Sequence, residues 1–101
     1  MKTEVVTPHT TYPAHVRSHV ESRLAELDRF FEGVVSLRAS LHREHATHGV
    51  ELIAGVRRGV VLVVQARAAS LSAALADAIE RMGRVLARHK DKLKGRVRAG
   101  A

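Results

Sequence analysis

Four cations, Arg81, Arg84, Arg88 and Lys92, recur three or four residues apart near the end of this chain. On a helix that pitch stacks their side chains along one exposed face. Glu80 and Asp91 are the nearest carboxylates, too few to neutralise the row. The charge continues through Arg88-His89-Lys90-Asp91-Lys92-Leu93-Lys94. A rigid row of cations suits the repeated charges of a polyphosphate backbone. The competing reading is an ordinary solvated helix face. A net charge of +7 on 101 residues weighs against it and implies an anionic partner, either nucleic acid or an anionic membrane surface.

Other chemistry finds less support. Seven histidines invite a metal reading, with His42, His45 and His48 three apart and His15 and His19 one helical turn apart. A zinc site wants a defined tetrahedral set, usually with a carboxylate or thiolate, and no HExxH pattern is present. Solvated or phosphate-facing imidazoles are the preferred reading, and these gain charge in mild acid. The chain has no cysteine, which excludes thiol nucleophiles, disulfides and cysteine zinc sites. Ser36, Ser40, Ser70 and Ser72 have no glycine-rich elbow and no His/Asp partner pattern around them. No phosphate-binding glycine loop occurs. The expectation is a protein that is not an enzyme and holds no cofactor or metal. Three aromatic residues, Tyr12, Phe30 and Phe31, are too few for a surface that stacks single-stranded bases.

These residues need a scaffold, and hydrophobic periodicity supplies one. The length suits a single domain spanning residues 1–101, and 46% of residues are hydrophobic. Thr3 to Thr7 reads as a short strand, and Pro8 to Pro13 as a polar turn. A helix begins near Pro13, buries Val16, Val20, Leu24, Leu27 and Phe31, and ends at Gly33. Val34 to His42 alternates, with Val35, Leu37, Ala39 and Leu41 on one side. Glu44 to Gly49 is a loop, Val50 to Val56 alternates again, and Arg57-Arg58-Gly59 is a tight hairpin turn. Val60 to Ala66 is the most apolar strand. Ser70 is placed to cap a final helix whose apolar face is Leu71, Leu75, Ile79, Met82, Leu86 and Leu93. Residues 95–101 are expected to form a frayed basic tail.

The order β-α-β-β-β-α predicts an α+β fold. It is a two-layer α/β sandwich whose four-stranded mixed sheet carries both helices on one face. The opposite face would be mostly polar, except that Ile53, Val61 and Val63 should lie together. An exposed aliphatic patch of that kind can mark a protein interface. Met1 to Val6 has no long apolar run, so no signal peptide is expected, and Val60 to Val64 is far too short to span a membrane.

This order, closing on His89-Lys90-Asp91-Lys92-Leu93-Lys94, resembles the bacterial ribosome hibernation-promoting factor and ribosome-associated inhibitor family. Arg17, Val20, Leu24, Leu27 and Phe31 match the Arg-x-x-Val and Leu-x-x-x-Phe spacing of its first helix. The resemblance runs from Glu4 to about Lys94 and is to the short form, which lacks a second, dimerising domain. It departs where members carry Asp-x-Tyr-x-Ala-Ile-Asp, since Ser70 to Ala76 has neither the tyrosine nor the acids.

What the resemblance implies is a cytoplasmic, stress-associated factor that binds 16S rRNA of the small ribosomal subunit, between head and body, and blocks the mRNA and tRNA sites. The matched positions are Arg17, Arg81, Arg84, Arg88, His89, Lys90, Lys92 and Lys94. Partners expected on this basis are the small subunit and other ribosome-pairing factors, with no membrane and no small-molecule substrate. The protein itself would be a monomer or weak homodimer. Two alternatives stay open: a general double-stranded nucleic-acid binder using the same helix, and a protein-interaction module using the open sheet face.

Overall fold

The structure, a computed structural model, describes residues 2–7, 12–30 and 33–100, without the side chains of residues 28, 30 and 93–100. Phe31 therefore lies outside the described residues. The elements are β1 (Lys2–Val6), α1 (Ala14–Phe30), β2 (Val34–Glu44), β3 (Thr47–Val56), β4 (Val60–Ala68) and α2 (Leu71–Gly100). The strands lie in the order β1-β2-β3-β4, with β1 parallel to β2 and the other neighbours antiparallel. The helix between β1 and β2 is the long connection that a parallel pair requires. Helix α1 lies over β1 and β2, α2 lies over β3 and β4, and the helices touch each other. This is the expected two-layer sandwich.

The core follows the two periods of the chain. Leu37, Ala39 and Leu41 of β2, and Val50, Leu52, Ala54 and Val56 of β3, are buried under the helices. Val20, Leu24 and Leu27 meet them from α1, and Ala74, Leu75, Ala78, Met82 and Leu86 from α2. Leu71 and Ile79 are only partly buried, because the buried arc of α2 is centred on the two alanines and Met82.

Two expectations need correction. The segment Glu44 to Gly49 is not a loop: Glu44 pairs with Thr47, and His45 and Ala46 alone make the turn. Strand tips exposed on both faces carry no alternation, but their backbone ladder continues regardless. His45 takes the left-handed conformation (φ 56°) that a two-residue hairpin turn demands. Second, Val35 is 56% exposed and Val34 faces the core instead. The register slips between Val34 and Ser36, so Val35 is the extra residue of a β-bulge. Gly55 pairs with Ser36 there, and a Cβ on Gly55 would come within 2.5 Å of Ser36 Oγ. A side chain at Gly55 would oblige the Ser36 hydroxyl to rotate away. Helix α2 runs past Gly95 to Gly100. One interior glycine costs about 1 kcal/mol, too little to stop a helix that meets no proline.

The start of each helix is capped by its predecessor. The Pro13 carbonyl accepts from Val16 N–H at 3.0 Å, which makes Pro13 the cap of α1 and not its first helical residue. Ser70 Oγ accepts from Ala73 N–H at 3.2 Å, and its carbonyl accepts from Ala74 N–H at 3.1 Å. Serine thus does at Ser70 what an aspartate would do, since both are good N-caps. Ser70→Ala should cost about 1 kcal/mol. Thermal unfolding should then shift down by roughly 4–8 °C; an unchanged midpoint would mean the cap is not formed in solution.

Candidate nucleic-acid interface

Helix α2 outruns the sandwich. Its last buried side chain among the described residues is Leu86, yet the helix continues to Gly100. Fourteen further residues at 1.5 Å each carry it about 21 Å past the core. The molecule accordingly measures 52 Å along its long axis against 22 and 19 Å across. Arg88, Lys90 and Lys92 are exposed on this projecting stretch.

The four-cation row divides on inspection. The Arg81 guanidinium donates through Nη1 to the Gln65 carbonyl at 3.1 Å and pairs with Asp77, also at 3.1 Å. Arg84 pairs with Glu80 at 3.5 Å. Both acids lie four residues before their arginine, the favourable order for a helical pair. Asp77 was the carboxylate that counting neighbours in the sequence overlooked. Arg88 and Lys92 have cations, Arg84 and Arg88, at that same spacing, and they form no ion pair among the described residues. Unneutralised charge thus begins where the helix leaves the core.

Arg81, Arg84 and Arg88 line one open groove of about 570 Å³ between α2 and the edge strand β4, together with Asp77 and Gln65. Lys90 sits nine residues after Arg81, about half a turn around the helix at 100° per residue. It belongs to the other flank. His89 is half-buried, and the Lys94 side chain lies outside the described residues. Arg17 is not beside this row. It sits on α1 over the far edge and donates to the Val5 carbonyl of β1 at 3.2 Å. Arg17 and Arg81 therefore play matching parts, each covering a carbonyl on an edge strand, where an open ladder invites unwanted pairing.

His42, His45 and His48 occupy the opposite end, around the β2–β3 turn. His42 and His48 point to opposite faces of the sheet, because His42 pairs with Gly49 and Arg43 with His48. His42 Nε2 lies 3.1 Å from Ser40 Oγ, and His48 Nδ1 lies 2.8 Å from the Tyr12 hydroxyl. Burial raises the Tyr12 hydroxyl above its ordinary pKa, opposed by the Arg43 charge. No group of three metal-ligating side chains converges among the described residues. On the open face, Ile53 pairs with Val63 and Val61 with Gly55, and Val61 and Val63 are 59% and 52% exposed. The three form one patch, as the alternation predicts.

A family model described as "Sigma 54 modulation protein / S30EA ribosomal protein" matches residues 3–94. No curated protein matches the chain by sequence. Among solved structures, the chain resembles the N-terminal domain of Protein Y from Thermus thermophilus, at 23% identity and a TM-score of 0.76. That alignment covers 88% of this chain and 99% of the other. It also resembles a ribosomal subunit interface protein from Coxiella burnetii, at 12% identity and a TM-score of 0.81, covering 90% of this chain and 99% of that one.

Proposed function

We infer function from one premise: this chain belongs to the Sigma 54 modulation protein / S30EA ribosomal protein family, the family of ribosome hibernation factors. It is a ribosome-associated regulator of translation. The finer reading is that it binds 16S rRNA of the small subunit in the cytoplasm and silences translation by occupying the mRNA and tRNA channel, without catalysis. The observation that carries this reading is the rod of α2, whose last described buried side chain is Leu86 and which bears Arg88 and Lys92, neither in an ion pair among the described residues. Affinity would come from counterion release at phosphates, and selectivity from the fixed spacing of the cations on a rigid helix. Arg17 and Arg81 contribute less, because their guanidinium groups hold strand carbonyls.

The test is co-sedimentation with purified bacterial small subunits across a salt series, with bulk duplex RNA as competitor. Saturable binding near one per subunit is expected. For four phosphate contacts, affinity should fall roughly 100-fold between about 50 and 200 mM salt. Equal affinity for bulk duplex would reduce the protein to a general polyanion binder. No binding at low salt would mean that the fold serves another partner.

The exposure of Val61 and Val63 favours a second contact, with protein, through the open sheet face. Such a contact predicts that Val61→Asp sediments as a smaller species than wild type at high concentration. If both run as monomers, the patch is only the outer face of a β-rich strand.

A further inference from the structure

We propose that the β3–β4 turn is a second phosphate-binding point, with Arg58 as its principal ligand, acting on the same RNA as the α2 rod. The proposal rests on the RNA-binding reading above. The turn lies at the end of the sandwich from which α2 projects. Only Ala69 and Ser70 join β4 to α2, so the helix runs back along the strand. Nine strand residues extend about 26 Å, a distance the helix covers in about 18 residues. Counted from Leu71, that brings the helix level with the turn close to Arg88, just past its last described buried side chain, Leu86.

The turn is built in an unusual way. Arg58 (φ 71°, ψ 23°) and Gly59 (φ 74°) are both left-handed, within a three-residue turn between the paired Val56 and Val60. The left-handed conformation at Arg58 favours Gly, Asn or Asp, and an arginine there carries a steric penalty from its Cβ. The turn is also anchored: Arg57 N–H donates to the Gly33 carbonyl at 3.1 Å. Arg57 and Arg58 are exposed, and neither joins an ion pair among the described residues. A disfavoured residue held on an anchored, exposed tip, at the end of the sandwich towards which the helical cations run, points to use of its charge. Cations on a turn and on a helix, set off one line, would grip phosphates on either side of a groove or bend in folded RNA. A straight helical stripe cannot do that alone.

The test is Arg58→Asn, with Arg38→Asn as a control. Asparagine suits the turn, so the variant should melt at or above the wild-type temperature. It should nevertheless bind small subunits several-fold more weakly, with a salt slope shallower by about one. Arg38 lies mid-sheet on the open face beside Glu4, at 3.9 Å, and its loss removes the same charge away from the helix rod. Arg38→Asn should leave affinity near wild type. Wild-type binding with an unchanged slope in Arg58→Asn would overturn this inference alone. Equal losses in both variants would also overturn it, as an effect of net charge. Failure of the wild type to bind subunits at all would sink the parent reading, and this one with it.

Discussion

Arg84→Glu/Arg88→Glu/Lys92→Glu should abolish co-sedimentation with the small subunit at physiological salt while leaving the protein folded. Each exchange shifts the charge by two, taking the net charge from +7 to +1. Three attractive contacts become three repulsive ones on a rod that cannot turn them away. The salt slope should flatten by about three, and affinity should drop at least ~100-fold. Folding should survive because all three side chains are exposed and none packs in the core. The Arg84–Glu80 pair becomes a like-charge pair, which costs only a few tenths of a kcal/mol. Arg81 and Arg17 are poorer choices for such a test. Their substitution also frees the Gln65 and Val5 carbonyls on the two sheet edges, so lost binding could reflect altered assembly. A triple variant that sediments with subunits like wild type would remove α2 as the interface and direct attention to the open sheet face.

Leu52→Ala should produce the largest loss of stability, about 2–5 kcal/mol. Leu52 is wholly buried on the inner strand β3, and its ladder neighbours are Ala39 and Val64. An alanine beside it cannot swing into the space that Leu52 would vacate, so the cavity should persist. The melting temperature should fall by more than ~10 °C in a domain of this size. Val63→Ala, on the adjacent strand but the opposite face, should cost well under half as much, since Val63 is half exposed already. Urea unfolding of the two variants checks the face assignment directly. Similar losses would mean that the two faces of β3 and β4 have been assigned wrongly.

Family membership was legible from the closing run His89 to Lys94 and from the order of the elements. The interface was legible only in part. The cation spacing on α2 could be read because a helix converts sequence spacing into position by a fixed 100° per residue. The partners of those cations could not all be read that way. Asp77 is local and was within reach of the same rule, but the Gln65 carbonyl is brought to Arg81 by the return of α2 along β4. The same holds for Arg17 and Val5, which belong to different elements. Arg57 and Arg58 looked like plain turn residues, because nothing in a linear chain says which end of a sandwich a turn will share.

By itself, then, the sequence determined the alternation that puts Leu37, Ala39 and Leu41 inside, the cap at Ser70, and the arc that buries Met82 and Leu86. These are short-range consequences of period and of local hydrogen bonding, and they need no knowledge of the rest of the chain. The tertiary structure alone decided the bulge that turns Val35 outward and the short turn at His45 and Ala46. It alone brought Arg81 of the row to the Gln65 carbonyl on one sheet edge, and Arg17 of α1 to the Val5 carbonyl on the other. The reason is physical. A backbone ladder is closed by the facing strand, and a charge is neutralised by whatever lies nearest in space, so both depend on neighbours the fold brings from afar.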